Sequence, residues 1–194
     1  DFSHHGLYTG QMLAVLKQRV PAVPVVDLMD DVPAFDIRAG AYLLPPVMTP
    51  FAPGTVCVGV VDPGVGGSRD PLVLKAAGRW YVGPDNGLFE IAARRAEGDA
   101  RWWRITWRPE RLSASFHGRD LFAPVAAMIA AGDEGDAPGW GAAFEPDRSA
   151  YRDWPDDWPA VIYIDGYGNC MTGVRWSQLH DGEGLRIGDV TIPR

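Results

Sequence analysis

The segment Val60-Val61-Asp62-Pro63-Gly64-Val65-Gly66-Gly67-Ser68-Arg69 most narrows the folds open to this chain. Apolar or small residues at 56–60 lead into it, and a short apolar run bounded by Pro and Gly reads as a buried strand. α/β proteins put their ligands at the ends of such strands, so Asp62 and Arg69, flanking a glycine-rich turn, are candidate functional residues. The glycines do not make a phosphate cradle. There is no Gly-Lys-Ser/Thr ending and no Gly-x-Gly-x-x-Gly, and Pro71 interrupts the helix that would supply an anion-binding N-terminus. Taken alone, the turn reads more simply as a hairpin in which Asp62 and Arg69 only pair with each other.

Three further blocks share the design. Trp80-Tyr81-Val82-Gly83-Pro84-Asp85-Asn86-Gly87-Leu88 runs an apolar strand into a Pro/Asp/Asn/Gly turn, and Ser115-Phe116-His117-Gly118-Arg119-Asp120 puts a histidine and two charges before an apolar helix. Val161-Ile162-Tyr163-Ile164-Asp165-Gly166-Tyr167-Gly168-Asn169 ends another apolar run with Asp, Tyr and Asn. Residues 56–61 and 161–164 are therefore expected as interior strands, with Asp62 and Asp165 emerging at related edges of one cleft.

Between these blocks the pattern alternates. Met12, Leu13, Leu16 and Val20 share a helical face ending at Pro21; residues 23–28 read as a strand, and 36–44 as a helix stopped by Pro45-Pro46. Residues 72–76 and 80–82 read as a hairpin around Gly78, 88–95 as a helix, and Leu121, Val125, Met128 and Ile129 as the apolar face of a helix ending at Gly132. The expected fold is α/β: an N-terminal domain over 1–132 with a largely parallel sheet flanked by helices. The Gly-, Asp-, Pro- and Trp-rich stretch 133–159 reads as a linker in which Trp140, Trp154 and Trp158 cover apolar surface, and 160–194 as the start of a β domain.

Composition excludes several classes. A net charge of −7 with no Lys/Arg run argues against a nucleic-acid partner, and no apolar run is long enough to span a bilayer. Cys57 and Cys170 make neither a disulfide framework nor a zinc pattern and read as packed thiols of a cytoplasmic protein. His4 and His5 lack metal-ligand spacing to any partner, so no metal site is expected.

Together, the four blocks resemble the S-adenosyl-L-methionine (SAM) hydroxide adenosyltransferases, or SAM hydrolases, whose relatives include fluorinases and chlorinases. Asp1-Phe2 and Tyr8-x-Gly10-x-Met12 resemble the opening of that family, and the likeness extends to about Thr172. The resemblance implies hydrolysis of SAM to adenosine and L-methionine by an activated water attacking the 5′ carbon. SAM is then the substrate, and no cofactor is needed. The chemistry suits the residues: a sulfonium already carries a good leaving group, so what is missing is a nucleophile held in line, with a His or Asp to take up its proton and an Arg to balance charge. Asp62, Arg69 and His117 match the catalytic triad of the family. Asp1 matches a ribose-binding acid, Asp165 the acid that meets the methionine ammonium, Tyr167 a ring that stacks on adenine, and Asn169 an amide that reads its edge. Asn86 is a candidate substrate contact, although Asp-Asn-Gly is equally what a tight turn wants.

Four positions depart from the family pattern: Ser3 replaces a Gly, Gly6 an acid, and Gly166 and Tyr167 an Arg and a Phe. The family's opening Asp follows a short buried strand, and its C-terminal domain is barrel-like and completes the SAM pocket of a neighbouring subunit in a homotrimer. This chain is accordingly read as a fragment cut at both ends, with the site at a subunit interface. Two alternatives remain: a SAM-dependent halogenase, which should lack the Arg and His of the triad, and a non-catalytic SAM- or adenosine-binding module.

Overall fold

The computed structural model describes residues 2, 6–135, 138–179 and 185–192. At its centre is a five-stranded sheet in the order β1-β3-β2-β4-β5, formed by β1 (Val56–Val58), β2 (Pro71–Ala76), β3 (Arg79–Pro84), β4 (Ala100–Ile105) and β5 (Gly141–Ala143). The sheet is mixed rather than largely parallel: of its four pairings, only β1–β3 is parallel. The cause is the hairpin around Gly78. Ala77 and Gly78, at φ 48° and 71°, connect β2 to β3 in two residues, a connection only antiparallel neighbours can use. β3 returns to β4 through α3 (Glu90–Arg94), but β2 lies between them, so the crossover unit that the alternating pattern suggests is split by an antiparallel strand.

Both faces of the sheet are covered. On one, Leu72, Leu74, Tyr81 and Trp102 pack with Met48 of α2 (Ile37–Met48) and Ala92 and Ala93 of α3. On the other, Val73, Trp80, Val82 and Trp103 meet Val125, Ala126 and Ile129 of α4 (Ala123–Ala130), with Leu16 of α1 (Tyr8–Arg19) at the margin. This two-sided burial explains why β2 and β3 are almost continuously apolar.

Several local expectations fail for physical reasons. Residues 23–28 pair with no strand among the described residues; Val23, Val26 and Leu28 are exposed, and between this stretch and β1 lies an apolar cavity of about 580 Å³. Pro45 and Pro46 do not stop α2, which is capped by Asp36 accepting from Ala39 N and continues to Met48. The prolines fall in its last turns, where Thr49 N still donates to their carbonyls.

The stretch 133–159, read as a linker, lies partly on the sheet. It contains β5, and Trp140 is fully buried against Trp80 and Trp103, its Nε1 donating to Asp133 O at 2.9 Å. Farther on, Arg148 forms two hydrogen bonds to the buried Glu90 of α3, which also holds Arg94. Beyond it the described residues form two separate two-stranded sheets, β6 (Trp158–Ile164) with β7 (Cys170–Gly173) and β8 (Leu185–Ile187) with β9 (Val190–Ile192). β6 is not the interior strand expected of 161–164. Ile162 is buried with Ala39 and Tyr42 of α2, but Val161 and Ile164 are 38% and 59% exposed, because a two-stranded sheet has only one covered face. The cysteines are free, and Cys170 is exposed rather than packed. No described helix is long and apolar enough to cross a membrane.

Candidate active site

The Asp62–Arg69 turn leaves the end of β1 and folds on itself through Val65 N to Asp62 O and Gly67 N to Gly64 O, at 3.2 and 3.0 Å. Gly66 sits at φ 78°, and a Cβ there would lie 2.3 Å from Ala114 O. Both the backbone sign and the space therefore require glycine, and the requirement has a consequence: the backbone just before His117 lies directly on the turn. His117 begins a π-helical turn, Gly118–Phe122, that runs into α4. Its neighbours are tied down. Asp120 accepts from Ser113 N at 2.9 Å and pairs with Arg119, which also donates to Gln11 Oε1 of α1 at 2.7 Å.

Asp62, Arg69 and His117 come together. Arg69 Nε donates to both Asp62 oxygens, at 3.2 and 3.1 Å, and its Nη2 makes a further short contact to Asp62 Oδ2. The two side chains are only 11% and 4% exposed, a buried ion pair. The same Nη2 lies 3.1 Å from His117 Nδ1, so the guanidinium bridges carboxylate and imidazole. Phe122 supplies an apolar wall, its ring centroid 5.4 Å from Arg69 Cζ and edge-on to His117 at 6.4 Å.

The bridge fixes the state of the histidine. Arginine can only donate, so Nδ1 is the acceptor and the neutral ring carries its proton on Nε2. Burial pushes the His117 pKa below its ordinary 6.5, and Arg69 lowers it further; Asp62 opposes them. Nε2 has no protein partner among the described residues, which leaves an N–H able to hold a small polar molecule on the side of the ring away from the Asp62–Arg69 pair. The large apolar cavity along β1 includes none of the three residues, so the cleft shared by Asp62 and Asp165 is not found there.

The other expected site residues lie elsewhere. Asp1 is outside the described residues, as are Ser3, His4 and His5. Asp165, Tyr167 and Asn169 form the β6–β7 turn: Asp165 accepts from Tyr167 N, Asn169 N and Asn169 Nδ2 at 2.8–2.9 Å, bonds that hold its pKa below the usual value, while the Tyr167 ring is 95% exposed. No hydrogen bond or ion pair joins this turn to the triad among the described residues. Asn86 uses its amide within the protein, donating from Nδ2 to Val61 O at 2.8 Å and accepting from Leu88 N at 3.3 Å. Sequence reasoning missed Phe122, whose spacing from His117 is that of any residue on a helix face, and Glu90, whose burial only the folded chain shows. No group of three or more His, Cys, Asp or Glu side chains able to hold a metal occurs among the described residues.

Comparison with known proteins gives a consistent result. Residues 1–139 match the family described as SAM hydroxide adenosyltransferase N-terminal domain. A protein of Salinispora arenicola named (R)-S-adenosyl-L-methionine hydrolase is 39% identical over 176 residues, which cover 85% of this chain and 67% of that protein. One of the same name from Methanocaldococcus jannaschii is 33% identical over 90% of this chain and 63% of its own length. Among solved structures, an uncharacterized conserved protein from Thermotoga maritima superposes with a TM-score of 0.81 at 27% identity, over 100% of this chain and 79% of that one.

Proposed function

Since the chain belongs to the SAM hydroxide adenosyltransferase family, we propose that it hydrolyses SAM to adenosine and L-methionine at the Asp62–Arg69–His117 cluster. The observation that carries this reading is the arginine bridge between a buried carboxylate and a neutral imidazole. His117 Nε2–H orients a water by donating to its oxygen. The water oxygen forms a bond to the 5′ carbon as the C–S bond breaks, and methionine leaves as a neutral thioether with the bonding electron pair. The oxygen gives up its proton to surrounding water, while the Asp62–Arg69 pair holds the imidazole in the tautomer that keeps Nε2–H on the nucleophile. No acid is needed for the leaving group, and no cofactor enters the scheme.

Under this reading Asp165, Tyr167 and Asn169 contact the methionine ammonium and the adenine, and Asp1 the ribose. Under the same reading the protein works as a homotrimer in which the Asp165 turn of one subunit faces the triad of the next. A cytoplasmic setting fits the two free cysteines.

The test is product identification after incubation with SAM in ¹⁸O-water. Adenosine labelled at its 5′ oxygen, together with methionine, is the expected result. A 5′-halo-adenosine formed in halide buffer would show a halogenase instead, and bound but unchanged SAM would show a binding module.

A further inference from the structure

We propose that the 84–88 turn braces the Asp62–Arg69 pair and that Asn86 is its positioning residue, acting through the backbone rather than on substrate. This rests on the triad reading given above. The turn touches the pair's backbone on both sides. The Asn86 Nδ2 bond to Val61 O holds the peptide immediately before Asp62, and Asp85 N donates at 2.8 Å to the carbonyl of Asp70, the residue that follows Arg69. Asp62 is also held by its own carbonyl, which accepts from Val65 N. The two residues of the ion pair therefore hang from one short segment at the end of β3, the strand that pairs in parallel with β1.

The remaining amide contact explains why asparagine stands here. Asn86 Oδ1 caps Leu88 N within the turn, so one side chain both builds the turn and reaches the neighbouring strand end. Val61 is 2% exposed, so its carbonyl, if released, would have little water to turn to. Misplacement of a reacting group by about 1 Å can cost on the order of 100-fold in rate, and a brace of this kind prevents it.

Asn86→Asp separates the two tasks. The carboxylate keeps an acceptor for Leu88 N and replaces the donor facing Val61 O. Adenosine formation and the NMR titration of the His117 imidazole, which senses Arg69, Asp62, Arg108 and Asp120 around it, are measured on parent and variant. The brace predicts a kcat lowered about 10- to 100-fold with KM within about 2-fold, and a displaced His117 titration. A raised KM at unchanged kcat would make Asn86 a substrate contact and overturn the proposal. Unchanged kinetics and titration would leave it a turn former only and overturn it equally. If the parent does not hydrolyse SAM, the functional reading fails, while the titration still decides the brace. If Asn86→Asp does not fold, Asn86→Ser repeats the test, because its hydroxyl can cap Leu88 but is too short to reach Val61 O.

Discussion

Arg69→Met should destabilise the protein strongly, and adding Asp62→Asn should restore part of what was lost. With side chains 11% and 4% exposed, the pair belongs to the buried regime, where solvent screening does little. Removing the guanidinium alone leaves an uncompensated carboxylate, at a cost of about 3–5 kcal/mol. In a protein of this size each kcal/mol is worth about 2–4 °C in Tm, so the single variant should melt roughly 6–20 °C lower. In the double variant the buried group is a neutral amide lacking some partners, which costs about 1–3 kcal/mol. The double variant should thus be more stable than the single one, although it carries more changes. Activity should not follow: both variants lose the bridge to His117, and both should fall by about 100-fold or more. Urea unfolding followed by tryptophan fluorescence, with adenosine release measured in parallel, reads both quantities. An Arg69→Met protein within about 0.5 kcal/mol of the parent, or a double variant less stable than the single, would refute the buried-pair reasoning.

Three other outcomes are expected. Because the His117 pKa is lowered below 6.5, the unfolded state binds the extra proton first as pH falls; stability and the Arg69 contact then decline between 6.5 and the lower folded value. The acid limb of kcat should therefore lie below pH 6.5, and His117→Ala should abolish that limb along with most of kcat. Gly66→Ala puts a Cβ 2.3 Å from Ala114 O at a positive φ; it should cost more than about 1 kcal/mol by thermal unfolding and lower kcat by separating the 113–118 loop from the turn. Asp165→Asn keeps one oxygen for the Tyr167 and Asn169 N–H groups of the β6–β7 turn but removes the charge and the acceptor facing Asn169 Nδ2, so KM for SAM should rise about 10-fold or more with kcat little changed.

The residues of the cluster could be read from the sequence because Asp62 ends an apolar run, Arg69 closes the glycine-rich turn that follows, and His117 stands just before an apolar helix. Their meeting could not. It depends on Gly66 admitting the backbone of Ala114, a contact between segments about 48 positions apart. The hairpin around Gly78 was legible from its turn, and it already required an antiparallel neighbour; the regular alternation of strands and helices pointed the other way because periodicity does not reveal strand order. Residues 23–28 have the composition of a strand but pair with no strand among the described residues. Asn86 shows the limit most clearly, since the same Asp-Asn-Gly serves a turn, a ligand or a brace, and only the partner of its amide tells them apart.

The bridge described for Arg69 also has a history in the folding of the chain. Its two contacts close loops of different size: seven residues to Asp62 and 48 to His117. By polymer statistics the longer closure costs about 1.7 kcal/mol more in chain entropy. The carboxylate–guanidinium pair can thus form while the chain is still largely open, once its own turn has closed. The imidazole arrives only when α4 docks on the sheet through Val125, Ala126 and Ile129. The full constellation thus rests on the docking of that one helix, whereas the charge pair closes within its own turn.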